Sequence, residues 1–273
     1  MSLPLQVKEY PFKGDMRLVS VTDAHLGSPT FEEKAFRTTV NYIKNNEAVY
    51  CFFDGDCTEN ITPDCVAVST DQIMPPDQQL ECFMDYMTPI KHRILFGVRG
   101  NHLNRTRKKA HFDPMIGMCK RLGVDYLGVG GYVKLLVGKQ VYTIAVQHGA
   151  NGSANWETEM KRMRGIYPLA EAIFLGHDHN LTFEHKPYLT IDPVTKTEVQ
   201  NYCIFSRTGN YLGYAEYARD KIYELKITGS INTKFHANKH FISGYKMMYI
   251  NGEPLYDTLN LMGNKKKIFE VRA

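Results

Sequence analysis

The sequence contains no apolar run long enough to cross a bilayer. Its longest, residues 49–53 and 141–146, stop far short of the roughly 20 residues a membrane helix needs. No CxxC pair occurs among the six cysteines (51, 57, 65, 82, 119 and 203), no tract is of low complexity and no repeat has a fixed period. Residues 1–14 carry Lys8, Glu9 and Lys13 and no apolar signal core. These absences argue against a helical membrane protein, a disulfide scaffold, a solenoid and a signal-led export route. They predict a cytoplasmic protein with reduced, mostly buried thiols. Without secretion, the N-x-T sequons at Asn60, Asn104 and Asn180 carry no meaning. An excess of one charge is also missing: 33 Lys and Arg stand against 29 Asp and Glu. A net charge of +4 does not by itself imply nucleic acid, so the placement of charge must decide.

What is present is 273 residues with 43% hydrophobic content, enough to bury a sizeable core without a disulfide or metal to hold it. Short runs rich in Val, Ile, Phe and Tyr read as buried strands at residues 17–21, 49–53, 93–98, 132–137, 140–146, 172–175 and 202–205. Gly138-Lys139 between two of them suits a hairpin turn. Helical patterns lie between several strands. Thr30 and Glu33 read as a capping box ahead of Phe36, Val40 and Ile43. Leu80, Phe83, Met84 and Met87 share one helical face; so do Met115, Met118, Cys119 and Leu122, behind Asp113 as cap, with Gly123 as the stop. Trp156, Met160 and Met163 give a shorter face. The methionine stripes read as core packing. Strand patterns return at residues 221–228 and 245–250. The expectation is one domain over 1–273, with a motif-bearing core of about 17–210 and a β-rich C-terminal extension of about 211–273.

Five times a strand pattern ends and a metal-capable side chain follows. The sequences are Asp23-Ala24-His25, Asp54-Gly55-Asp56, Gly100-Asn101-His102, His148-Gly149 and Gly176-His177-Asp178-His179. Strand carboxyl ends in an open α/β sheet converge on one crevice, so motifs far apart in the chain can share one site. Taken singly each motif is a weak signal, more often a turn or a hydrogen-bonded polar residue than a ligand. Their ordered combination is specific. Half of the ten histidines lie at these strand ends, and the donors are the oxygen and nitrogen set that suits manganese, iron or zinc.

This order, D-x-H, G-D, G-N-H, H-G and G-H-x-H, resembles the calcineurin-like metallophosphoesterase superfamily over roughly residues 17–210. The resemblance implies an α/β fold, a four-layer α/β/β/α sandwich, with a binuclear metal centre. It makes Asp23, His25 and His179 ligands of a first metal, Asn101, His148 and His177 ligands of a second, and Asp56 a bridge between them. It matches His102 to a histidine that assists the leaving group or the developing negative charge. Two divalent ions are implied, manganese foremost, with iron, zinc or nickel also suited. Two cations about 3.5–4 Å apart can share one hydroxide for in-line attack on phosphorus. One position departs from the pattern. Many members carry an acidic residue directly after Gly-Asn-His, where this chain has Leu103. The partner of His102 is thus left open: another segment supplies it, or His102 acts mainly as a hydrogen-bond donor.

The Leu26-Gly27 extension of the first motif resembles the recombination-repair nuclease branch. Arg105, Arg107, Lys108 and Lys109 follow the Gly-Asn-His, and Lys161, Arg162 and Arg164 lie between His148 and His177. Such groups near the site would contact a polyphosphate backbone. The second cluster reads equally well as a solvated helix face. The C-terminal stretch, with Tyr245, Tyr249 and Tyr256, could extend a nucleic-acid surface or be a soluble edge. A compact phosphodiesterase, nuclease-like and free of membranes, is the leading expectation. A phosphomonoesterase acting on a phosphoprotein or small ester is the alternative, and a non-catalytic scaffold is disfavoured because no ligand of the set is missing.

Overall fold

A strand buried on both faces carries apolar side chains at successive positions, and the chain's core strands do so. In β2 (Met16–Val21), Met16 and Leu18 enter one buried cluster while Val19 and Val21 enter another. β3 (Val49–Asp54) divides in the same way, with Phe52 on one side and Val49, Cys51 and Phe53 on the other. In β8 (Ala172–Leu175), Ala172 and Phe174 face one cluster and Ile173 and Leu175 a third. This period of two stacks the molecule. The computed structural model describes residues 7–63, 65, 72–149, 156–214, 222 and 224–255.

One sheet runs β1 (Lys8–Phe12), β6 (Gly130–Val137), β7 (Gln140–Gln147), β8, β10 (Glu198–Asn210) and β9 (Leu181–Ile191). The other runs β12 (Ile242–Ile250), β11 (Thr228–Phe235), β2, β3, β4 (Ile94–Val98) and β5 (Asp125–Tyr126), with β13 (Glu253–Pro254) on β12. A short antiparallel seam, Gly209 with Ser230 and Asn210 with Gly229, curls the two into one continuous sheet. Between the faces lies a core of Leu18, Phe52, Phe96, Ile144, Phe174 and Phe235 with their neighbours. On the outer face of the second sheet pack α1 (Glu33–Asn45), α2 (Pro76–Met87), a 3-10 turn at Thr88–Arg93 and α4 (Pro114–Leu122). On the outer face of the first packs α5 (Trp156–Ile166), through Met160 and Met163. The architecture is the expected four-layer α/β/β/α sandwich.

Local signals fared unevenly. Asp113 caps α4 by accepting from the Met115 amide at 3.1 Å, and Gly123 closes that helix in the left-handed conformation. The hairpin over Gly138-Lys139 forms with Val137 opposite Gln140. The capping box does not form: α1 begins at Glu33 with Glu32 as cap and no side-chain cap bond. Its entry is instead held by backbone, since Phe31 bridges Leu212 and the Glu32 amide donates to the Tyr211 carbonyl at 2.8 Å. The Thr30 hydroxyl sits 3.1 Å from that of Ser28. The strand expected over 221–228 begins only at Thr228. Residues 224–227 have no strand partner, and Leu225 and Ile227 stand exposed, while 221, 223 and Tyr256 lie outside the described residues. Among the described residues all six cysteines are free, and no helix is long and apolar enough to cross a membrane.

Phe36 on α1 is fully buried and meets the rings of Phe31, Tyr86 and Tyr211 edge-on at 5.1–5.5 Å between centroids. Phe36→Ala is expected to cost about 3–5 kcal/mol. In urea unfolding this lowers the midpoint at an unchanged slope.

Candidate metal centre

The five motifs follow the carboxyl ends of β2, β3, β4, β7 and β8, and the sandwich brings them together. Asp23, His25 and His179 form one group of donor atoms within 4.8 Å of one another, and Asp56, His148 and His177 form a second. His25, Asp56 and His102 make a third that overlaps both. Around Asp23 Oδ1 stand three imidazole Nε2 atoms: His179 at 3.2 Å, His25 at 3.7 Å and His148 at 4.0 Å. Asp56 Oδ2 lies 3.0 Å from His148 Nε2, and that nitrogen lies 3.1 Å from Asn101 Oδ1. All seven expected ligands therefore lie in one cluster with His102.

The backbone is bent to put them there. Asp23, His25, Asp56, His177 and His179 all have positive φ, between 40° and 75°. Such conformations cost a non-glycine residue on the order of 1–3 kcal/mol each and persist only where the surroundings enforce them. Here the enforcement is visible. Asp23 Oδ2 accepts from the Thr22 hydroxyl and from the His177 amide at 3.1 Å. Asp56 Oδ1 accepts from the His102 amide at 2.8 Å, in the first turn of α3 (Asn101–Ala110), whose N-terminal dipole favours a carboxylate. His148 Nδ1 donates to the Asp54 carbonyl, which turns Nε2 toward Asp56. Gly100 lies against Asp56 so closely that a Cβ there would meet Asp56 Oδ1 at 2.0 Å.

The electrostatics centre on the two carboxylates. Burial opposes ionisation of Asp23, yet His148, His179 and His25 hold its carboxyl well below the ordinary range. For Asp56, burial again opposes, but His148 first and His25 with it prevail, so it too stays ionised. Burial pulls the other way on His25 and His148, but Glu59 and Asp23 in the first case, and Asp56 and Asp23 in the second, push both up to about 10. His102 is different: burial brings it down to about 4, a neutral ring. Asp54, beneath the group, is pushed well above the carboxylate range by burial. One atom tests whether this donor set fits a cation. Asp23 Oδ1 is buried, ionised and without a hydrogen-bond partner, facing three imidazoles of a type that bind a divalent metal through a neutral ring nitrogen. The set fits.

The layers, the seam between the sheets and the convergence of five strand-end motifs decide the fold. It is the four-layer sandwich that the resemblance to the calcineurin-like metallophosphoesterases implies. No protein-family model and no curated protein matches the chain. Among solved structures it is similar to a conserved uncharacterized protein, described as a predicted phosphoesterase, from Streptococcus pneumoniae. That match has 11% identity over 89% of this chain and 94% of the other, at a TM-score of 0.42. It is similar to vacuolar protein sorting 29 from Cryptosporidium parvum, at 12% identity over 87% and 100% and a TM-score of 0.45. It is also similar to an NAD nucleotidase from Haemophilus influenzae, at 10% identity over 86% of this chain but half of that one, with a TM-score of 0.42. Likeness at this level concerns the course of the backbone and carries no substrate or role with it.

The basic residues divide. Arg105 is half-buried beside His102, with Nη2 at 3.0 Å from His102 Nε2. Arg107, Lys108 and Lys109 are exposed on the last turn of α3, which leads away from the site. Arg164 donates to the Ala170 carbonyl and covers the Tyr188 ring, at the end of β8 opposite the site. Lys161 and Arg162 are exposed on α5. The structure therefore brings only Arg105 of the seven against the cluster. It also adds residues that sequence reasoning missed. Glu59 Oε2 takes His25 Nδ1 at 2.9 Å, and its carboxyl is held at about 2 against the opposition of burial, chiefly by His25. Buried Arg207 pairs with Asp178, the residue between His177 and His179. Glu59 carried a usable signal, three positions after Asp56; Arg207, mid-strand, carried none.

Gly100→Ala is expected to displace the Asp56 carboxylate and weaken divalent-metal binding about 10- to 100-fold, the range seen when support around metal ligands is lost. Gly117→Ala, on α4 with nothing within 4 Å of the added methyl, serves as the control and should bind as wild type. Calorimetric titration with zinc checks both.

Proposed function

We propose that the chain is a binuclear metal-dependent hydrolase of phosphate esters. The observation that carries this reading is the buried, ionised Asp23 Oδ1 set among three imidazoles, with Asp56 Oδ2 on the same His148 Nε2. Asp23, His25 and His179 would hold one cation, Asn101, His148 and His177 the other, and Asp56 would serve both. When bound, the pair supplies Lewis-acid charge for phosphoryl oxygens and activates water at neutral pH, with manganese, iron, zinc or nickel suited to the oxygen and nitrogen donors. The chain's own residues do the rest. Two carboxylates against neutral imidazoles and one amide leave such a pair with net positive charge, which attracts a phosphate. Glu59 and the Asp54 carbonyl fix the tautomers of His25 and His148 through Nδ1, as a ligating ring requires.

A phosphodiester, in the manner of a nuclease, is the proposed substrate class, since α3 extends a cationic edge from the site. A chain of nucleotides leaving the cluster along α3 would pass Arg107 and Lys108, about 8–9 Å along the helix from His102 at 1.5 Å per residue. A small monoester would not reach them.

Asp56→Ala is expected to lose metal at both positions, read by elemental analysis, and with it all hydrolysis of a diester or aryl phosphate. Retention of two equivalents of metal would contradict the assignment. The substrate class is tested by activity across a salt series. Oligonucleotide affinity should fall with a log–log slope of about −0.7 per phosphate contacted. Arg107→Ala/Lys108→Ala should flatten that slope and leave aryl phosphate hydrolysis unchanged. An oligonucleotide that stays intact with every metal, beside an aryl phosphate that is cleaved, would make the enzyme a phosphomonoesterase.

A further inference from the structure

His102 and Arg105 lie one turn apart on α3, and a single carbonyl between them determines where the protons sit. His102 Nδ1 is 2.6 Å from the Glu59 carbonyl oxygen. A carbonyl only accepts, so Nδ1 carries the hydrogen. Arg105 Nη1 donates to the same oxygen at 3.1 Å, and its Nη2 stands 3.0 Å from His102 Nε2. A guanidinium only donates, so Nε2 must offer its lone pair. A proton on Nε2 would set N–H against N–H. The ring is therefore the neutral Nδ1–H tautomer, and the nitrogen on the site side has no proton to give.

That arrangement differs from either role open to His102 at the level of sequence, which both require it to donate. We propose that His102 is a positioning residue that aims Arg105, and that Arg105 is the catalytic residue that meets the phosphoryl oxygens of the substrate. This assignment rests on the phosphoesterase reading above. The geometry supports it at three points. His102 Nε2 lies 3.9 Å from Asp56 Oδ2, and its ring is 4.4 Å from that of His25, so the guanidinium is one ring removed from the cluster. The Glu59 carboxylate is engaged chiefly by His25, and the direct hydrogen bonds that hold Arg105 are to a carbonyl and a neutral ring. Two of the five N–H groups are used in that hold, and three remain to donate to a phosphate. The helix bearing the pair is itself fixed, because the Asn60 amide donates to the His102 carbonyl at 2.7 Å and to Thr106 Oγ1 at 3.0 Å. No proton transfer is assigned to either residue.

The first test is spectroscopic and independent of turnover. In the zinc-loaded protein, long-range ¹H–¹⁵N correlation should show His102 as the Nδ1–H tautomer; an Nε2–H tautomer or an imidazolium would overturn the proposal. The second uses inorganic phosphate as the probe. Arg105→Ala should weaken its binding about 10- to 100-fold, the scale of a hydrogen bond to a charged group. His102→Ala should weaken it by a similar factor, with little further loss in the double variant. His102→Gln, whose amide oxygen can accept from Arg105, should recover most of the affinity. Phosphate affinity unchanged in Arg105→Ala would refute the contact. The third compares aryl phosphates of differing leaving groups. His102→Ala should slow all of them by the same factor, whereas a selective loss on poor leaving groups would restore His102 as a proton donor and sink the assignment. Wild-type protein that binds phosphate through Arg105 yet cleaves no ester would overturn the hydrolase reading and Arg105 as a catalytic residue together, and leave only the phosphate contact.

Discussion

Two ionised carboxylates, Asp23 and Asp56, are buried together in one small volume, and the surrounding structure is organised to keep them so. Removing an isolated carboxylate from water costs far more than a fold's net stability, so a buried one must be paired or coordinate a metal. Here the compensation comes from several sources at once: imidazoles on three sides, the first-turn amide of α3 on Asp56, and the Thr22 hydroxyl and His177 amide on Asp23. Asp54 meets the same requirement differently. Equally buried, with Oδ1 lacking a hydrogen-bond partner and only the Thr208 hydroxyl on Oδ2, its carboxyl is pushed well above the ordinary range by burial. Two acidic residues of one motif are thus shifted in opposite directions because their neighbours differ.

The sandwich makes such a concentration of charge possible. Each core strand is locked on both faces, by the inter-sheet cluster and by helices, so its carboxyl end cannot shift to relieve the strain at the motif that follows. The left-handed residues at the site are carried by that rigidity. The burial pattern of β10 shows the same division of labour. Residues 203–210, which pack beside the site, are buried throughout, while residues 198–202 run out with β9 into solvent. Rigidity is concentrated where the motifs are.

Much of this was legible in the sequence, and what was not has identifiable causes. Strand ends were readable because a strand buried on both faces is a continuous apolar run, and a polar residue after it stands out. The capping box at Thr30 failed because a backbone bridge from Leu212, distant in sequence, governs the entry to α1. The late strand was placed too early because Leu225 and Ile227 look like core in a window but have nothing to pair with. β9 escaped notice because its alternating polar residues suit a strand exposed on one face. Arg164 lies apart from Arg105 for a fourth reason: proximity in sequence to a motif does not say which end of a strand a helix returns to. α5 runs back along β8, so its last turn lies at the wrong end.

Glu59 and Arg207 show the limit most clearly, because both act on ligands without being ligands. Glu59 shares its two functional groups, carboxylate to His25 and carbonyl to His102 and Arg105, so one residue orients both sides of the cluster. Arg207 is fully buried, covers the Trp156 ring at 5.9 Å and pairs with Asp178, while burial draws its guanidinium down to about 10. Asp178 in turn accepts from the Asn180 amide at 3.2 Å. A buried ion pair is weak support for stability, since desolvation offsets most of its attraction. Its consequence here is geometric. His177 and His179 flank Asp178 at φ of 75° and 61°, so the pair is made at the residue between two left-handed neighbours. The pair that contributes little to folding lies between the two histidines that face Asp23 and Asp56.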